Sequence, residues 1–295
     1  MDILDATDTR TRITNLLAWS HTRGIRIDPR LHIIPGTSAD SSHSAGITVV
    51  SREAIPPDTT LVHIPSSAVL STRSSPLAAH IPHDDALQSQ QLGLALALHY
   101  ELLRGAASPW APYLASLPRA PVPIALFWGD RDAASYTGHA NTNTGNGDIN
   151  DKEKAEVDLR LQDGLAAAAW LAGTEVEREV LRTPVAEIRA YYIHTAQPLL
   201  ARRAGAGTGA GTLGAFYHAY ALVSSRAFIV DAYHGLAMVP IADACVPSLP
   251  LMSYIISCLV SVSCAWSCAI CQSLSASAIF PARGPGPADP ASLHP

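Results

Sequence analysis

The chain has 295 residues, enough for one large core or two smaller ones, and with 48% hydrophobic and 15% charged residues it has the composition of a globular protein. Its 20 basic and 25 acidic side chains leave a formal charge of -5, which disfavours a phosphate-tracking role and gives no reason to expect nucleic acid or an acidic membrane surface as the main partner. The opening MDILDATDTRTRITN is acidic and polar where a secretory leader needs a basic start and an apolar run, so an intracellular protein is expected, nucleus and cytoplasm undistinguished.

In segment 1–23, Ile13, Leu16, Leu17 and Trp19 fall mostly on one helical face and Gly24 follows as a stop, predicting a short amphipathic helix. Over 24–71 the runs GIRI, AGITVVSREAI and TTLVHIP are rich in Ile, Val and Thr and broken by Pro29, Pro35, Gly36, Pro56 and Pro57, predicting short strands joined by turns. The segment 72–212 reads as mainly helical. Leucines at 87, 92, 96, 98, 102 and 103 suit a helix over Asp85 to Arg104 that ends at Gly105, and helical composition resumes at 152–172 and 184–203. Between them, SYTGHANTNTGNGDIND at 135–151 is polar and glycine-rich and is expected to be a disordered surface loop. In the segment 213–243, FYHAYALVSSRAFIV reads as a helix running into an extended stretch, and GLAMVPIAD closes the ordinary part of the chain. There is no internal repeat.

Composition changes at residue 244. All five cysteines (Cys245, Cys258, Cys264, Cys268 and Cys271) lie beyond it, and no Asp, Glu, Lys or Arg occurs from Ala244 to Ala282. The tail 244–295 is therefore expected to be foreign to the fold before it. Ala244-Cys245-Val246 can be encoded by GCG TGC GTN, which contains an intron-start sequence, so translation through a retained intron accounts for the change. The uncharged run 251–271 approaches the ~20 residues of a bilayer span, which makes a membrane anchor an alternative. Recurrent serines and flanks without basic clusters or aromatic belts weigh against it.

Some patterns mimic other chemistry. Gly209, Gly211 and Gly214 have G-x-G-x-x-G spacing with Asp231 about twenty residues on, but PLLARRAGA precedes them where a dinucleotide site needs a buried strand. His80, His83, Asp84 and Asp85 carry metal-ligating groups, yet Pro76 and Pro82 mark a connector and no second cluster completes a coordination shell. Cys264, Cys268 and Cys271 sit in an apolar stretch where inert thiols are the default.

Several pieces, taken in order, resemble the split-SET protein methyltransferases, the group of the Rubisco large-subunit and ribosomal-protein lysine methyltransferases. They are LLAWSHTRG (16–24), HSAGITVVSREAIPPDTTLVHIPSSAVLS (43–71), SPWAPYLASLP (108–118), Phe127-Trp128, Leu171 to Thr174, SSRAF (224–228) and MVPIAD (238–243). The resemblance covers roughly residues 13 to 243. It implies an α+β fold, a SET-type arrangement of short strands with a mainly helical insert, and an incomplete C-terminal core. It also implies S-adenosyl-L-methionine as cofactor, a protein carrying a target lysine as substrate, and no catalytic metal. By the same resemblance His43, Ser44, Ala45 and Gly46 lie at the methionine end of the cofactor, Arg226 lies beside it, and Phe228 and Asp243 line the substrate side. One branch of the family modifies histidine instead.

Two parts of the family pattern are missing. Relatives continue from Ala-Asp through two residues to Asn-His, which hold the cofactor, whereas Asp243 is followed here by ACVPSL. Relatives also supply a later tyrosine at the transfer centre, and the only tyrosine after Asp243 is Tyr254, in the apolar run. Methyl transfer is an in-line displacement by an unprotonated lysine nitrogen in a dry channel, so these losses predict a truncated chain with little activity. A non-catalytic protein-binding module is the alternative from another class.

Overall fold

The computed structural model describes residues 3–36, 46–56, 59–82, 86–120, 122, 124–134, 151–182, 185–203, 211–244 and 260–263. The chain divides into two units, 1–263 and 264–295, and everything described belongs to the first. His43, Ser44, Ala45, the loop 135–150, the cysteines and most of the tail lie outside the described residues.

Helix α1 spans Ile3–Thr22, reaching further toward the N-terminus than the apolar stripe predicts. Its polar half holds together through local bonds: Arg12 Nε lies 3.2 Å from Asp8 one turn back, and Arg12 Nη2 donates to Thr9 Oγ1 at 2.8 Å. Leu16 and Trp19 face the core, and the helix closes where the Gly24 amide bonds to the His21 carbonyl at 3.1 Å.

Five short strands follow: β1 (Arg26–Ile27), β2 (Leu31–Pro35), β3 (Ile47–Ser51), β4 (Val62–Pro65) and β5 (Leu70–Ser71). Strand β2 escapes the sequence reading because Pro29, Pro35 and Gly36 crowd it with turn signals. It forms because LHII pairs antiparallel along the whole of β3, Leu31 opposite Ser51 and Pro35 opposite Ile47.

The insert comprises α2 (Leu87–Arg104), α3 (Ala111–Ser116), α4 (Arg131–Ala134), α5 (Asp151–Ala169), α6 (Glu175–Arg182), α7 (Val185–Tyr191) and α8 (Gln197–Arg203), with a π-helical turn over Tyr192–Ala196. Helix α5 comes close to the turn after Phe127 because Gly164 has no side chain: a Cβ there would stand 2.7 Å from the Gly129 nitrogen. The residues before the glycine-rich run form α8, not a strand, so the dinucleotide pattern lacks its required context. Helix α9 (Leu213–Arg226) packs on α2, with His99 edge-on to Phe216 at 5.9 Å and the Tyr220 hydroxyl donating to Gln91 Oε1 at 3.2 Å.

Strands β6 (Ala227–Asp231) and β7 (Gly235–Met238) form a hairpin, and β5 pairs with β7 to give the sheet order β5-β7-β6. A 3-10 turn, Ala242–Ala244, follows. Beyond the expected boundary, the 4 residues of β8 (Val260–Ser263) pair parallel with β4, completing a sheet of order β1-β4-β8. The architecture is α+β with small sheets. Among the described residues no helix is long and apolar enough to cross a membrane, and the run 251–271, apart from β8, lies outside them.

Candidate functional site

The segment Ser108 to Pro118 is fixed before it contributes a side chain to the site. Glu101, fully buried at the end of α2, accepts from Arg104 Nη1 at 2.9 and 3.0 Å and from Ser108 Oγ at 2.6 Å. Ser108 Oγ in turn accepts the Trp110 amide at 3.1 Å, and Pro112 lies in the first turn of α3, where its missing N–H costs nothing. The Trp110 indole donates to the Ala68 carbonyl at 3.0 Å and the Trp19 indole to the Pro109 carbonyl at 2.9 Å, tying α3 to both the strand region and α1. Tyr113, one turn into this braced helix, is buried with its ring stacked 6.4 Å from Trp19.

Tyr113 is the link to the far part of the sequence. Its hydroxyl donates to Asp243 Oδ2 at 2.8 Å, across 130 residues. From the other side Arg226, the last residue of α9, donates from Nη1 to the backbone carbonyl of Asp243 at 3.0 Å. Burial is the main cause that raises the Asp243 carboxyl from 3.8 to about 6, while Arg226 and the Tyr113 hydroxyl act to lower it. The Tyr113 phenol is itself pushed well above 10, first by burial and then by the Asp243 charge. Arg226 Nε is buried and has no hydrogen-bond partner, and among the described residues no carboxylate pairs with this guanidinium. Just before the turn, Ile241 takes a left-handed backbone with φ 70°, a costly conformation for a β-branched residue.

Gly46 reaches the same locality from the β2–β3 hairpin. Its φ is +75°, its carbonyl accepts the Gly36 amide at 3.0 Å, and a Cβ would meet Pro118 Cγ at 3.3 Å, so only glycine fits without displacement. The Pro118 carbonyl accepts from His218 Nε2 at 3.1 Å, which assigns the proton to that nitrogen. Burial lowers the His218 pKa from 6.5 to about 4, so the ring is neutral at ordinary pH. Strand β3 packs against the turn at Asp243.

Of the residues singled out from sequence, the structure joins Arg226 to Asp243 directly and brings Gly46 to their locality through β3, Pro118 and His218. Phe228 lies on β6 opposite Ala237, half-buried against the core and two residues beyond Arg226. His43, Ser44 and Ala45 lie outside the described residues. Sequence reasoning missed Tyr113 and His218, each reading as an ordinary core residue of its helix. Asp231, aligned by spacing with a ribose-binding acid, instead accepts the Tyr233 and His234 amides at 2.8 and 2.6 Å and pairs with His234 Nδ1 at 2.8 Å. That turn borders a separate cleft of about 290 Å³ with Thr72, Arg73, Gln90, Tyr233 and His234 in its lining, which does not include Gly46, Arg226, Phe228 or Asp243.

No protein-family model matches the chain, and no curated protein matches it. Solved structures are similar to it. One is the SET domain of LSMT bound to methyllysine and AdoHcy, with 16% identity and a TM-score of 0.41. Another is the same domain bound to lysine and AdoHcy, at 16% and 0.45. A third is Rubisco LSMT bound to AdoMet, at 16% and 0.44. Each alignment covers 79% of this chain and 44% of the solved chain, so this chain spans less than half the length of the structures it matches.

Proposed function

We propose that the chain is an S-adenosylmethionine-binding relative of the split-SET protein-lysine methyltransferases, without effective turnover. The observation that carries this reading is Arg226: a guanidinium with a buried, unpartnered Nε and no carboxylate hydrogen-bonded to it among the described residues, in the locality where the left-handed backbone of Gly46 packs on Pro118. A buried donor left unpaired costs roughly 1–3 kcal/mol, and a ligand carboxylate would recover it through charge-assisted hydrogen bonds. Arg226 would hold the carboxylate of the cofactor, and the backbone at Gly46 its methionine end. Bound there, S-adenosylmethionine supplies a sulfonium methyl group to an unprotonated lysine nitrogen approaching in line.

The chain's own residues serve that binding in distinct ways. Arg226 provides the fixed positive charge. His218, neutral at ordinary pH, adds no second cation that would compete for the anion. Asp243 and Phe228 belong to the substrate side on the resemblance to relatives. The missing Asn-His pair and late tyrosine remove the second clamp and the dipoles around the transferred methyl, which is why turnover fails. Equilibrium dialysis of the full chain against labelled S-adenosylmethionine is expected to give saturable binding, while label transfer to lysine-containing protein stays at background. Absence of saturable binding removes the reading, and transfer above background removes its inactive part.

A non-catalytic protein-binding role has one observation in its favour. Leu159 and Leu165 of α5, Trp170 in the turn after it and Val176 of α6 are exposed, Trp170 at 86%. The same dialysis separates the two readings, because a pure binding module takes up no cofactor.

A further inference from the structure

Arg226 and Asp243 are close enough to bond, yet they bond through the wrong group. The guanidinium reaches the Asp243 backbone carbonyl at 3.0 Å, while the carboxylate of the same residue turns to the Tyr113 hydroxyl at 2.8 Å. A half-buried guanidinium beside a carboxylate ordinarily closes into a two-bonded ion pair, the strongest arrangement open to either group. We infer that Tyr113 is a positioning residue that keeps Arg226 available to an anionic ligand, by holding the Asp243 carboxylate off the guanidinium's N–H donors. The inference rests on the cofactor reading only for the identity of that anion.

Three features make the arrangement a built one. Tyr113 cannot follow the carboxylate elsewhere, because its ring is stacked on Trp19 and its helix is pinned by Trp110 to the Ala68 carbonyl. Arg226 keeps a buried donor without a partner, the expected mark of a site whose anion is not supplied by the protein. His218, which also lies in this locality, commits its Nε2 proton to the Pro118 carbonyl. If Asp243 closed on Arg226, its oxygens would occupy the N–H donors that a ligand carboxylate needs.

The test is a double-mutant cycle on the full chain, read by calorimetric titration with S-adenosylmethionine and by 13C NMR titration of the Asp243 carboxyl. Tyr113→Phe removes the hydroxyl and keeps the ring. It is expected to weaken binding at least about tenfold, equivalent to about 1.4 kcal/mol. In the Asp243→Asn background, where no carboxylate can close on Arg226, Tyr113→Phe is expected to change affinity by less than about twofold, so the two changes couple. Independently of any ligand, the Asp243 carboxyl in Tyr113→Phe is expected to titrate lower than in the parent chain, because the freed group finds Arg226. Loss of a merely structural hydrogen bond would move that titration upward. A downward move supports the inference even if S-adenosylmethionine fails to bind, in which case the cofactor reading alone falls. An upward move, or an equal loss of affinity in both backgrounds, overturns it.

Discussion

The turn at Asp243 and the helices α5 and α6 are held by bonds of different reach. Around Asp243 the bonds are buried or partly buried and span the sequence: Tyr113 to Asp243 across 130 residues, Pro118 to His218 across 100, Trp19 to Pro109 across 90. In α5 and α6 they reach less far and lie at the surface, Arg160 to Glu156 four residues apart, Arg178 to Glu175 three apart and the exposed pair Arg131–Asp158 joining α4 to α5, while Leu159, Leu165 and Trp170 face outward. Buried long-range bonds lose a full desolvation penalty when broken, whereas exposed local pairs lose a few tenths of a kcal/mol. The first region should therefore respond to single substitutions with global loss of stability, and the second should barely respond.

The largest effect is expected from Trp110→Ala, which empties a buried volume and orphans the Ala68 carbonyl. Denaturant unfolding should show a loss of about 3–5 kcal/mol. Next come two opposed pH dependences. The folded Asp243 carboxyl, at about 6, lies above its ordinary 3.8, so the protonated form favours the fold. Its contribution is complete below 3.8 and is lost as pH rises through about 6. The folded His218, at about 4, lies below its ordinary 6.5, so the neutral ring favours the fold; that contribution is complete above 6.5 and is lost as pH falls through about 4. At about 1.4 kcal/mol per pH unit of displacement each is worth about 3 kcal/mol, and across pH 4 to 6 they largely cancel. Unfolding measured against pH should accordingly be nearly flat in the parent chain, rise with pH in Asp243→Asn, and fall with pH in His218→Gln. Matching slopes in all three would dissolve the contrast drawn here.

Smaller effects belong to the insert. Thr174 Oγ1 accepts the Glu177 amide at 3.3 Å and Glu177 Oε2 accepts the Gly173 amide at 2.7 Å, a capping box at the start of α6. Thr174→Ala should cost about 1 kcal/mol, seen as faster amide exchange in α6 with little change in global unfolding. Trp170→Ser should leave stability within about 0.5 kcal/mol, and it tests the protein-binding reading by removing the most exposed large apolar side chain among the described residues.

Local patterns were legible in the sequence wherever a single element decides them. The leucine spacing gives α2 almost to the residue, with Gly105 next after its end, and SSRAFIV marks the change from α9 to β6 within the expected stretch. Strand β2 was not legible, because its partner β3 supplies the bonds that its flanking prolines argue against. Strand β8 lies inside a tail expected to be foreign, yet VSVS has the alternation of β-branched residues that suits a strand laid beside β4. At the site, Arg226 and Asp243 stand out by resemblance to known motifs. Tyr113 and His218 do not, because nothing in the order of residues brings position 113 to 243 or 118 to 218. Those pairings exist only once α3 is braced by Trp110 and α9 is laid on α2.

The role proposed for Arg226, the anion anchor of this chain, can be measured by calorimetric titration of S-adenosylmethionine into the parent chain and into Arg226→Ala at pH 7. Saturable binding in the parent, weakened at least about tenfold in the variant, is the expected result, since a charge-assisted hydrogen bond to a carboxylate is worth about 1.5–3 kcal/mol. Equal affinity in the two proteins would contradict the claim.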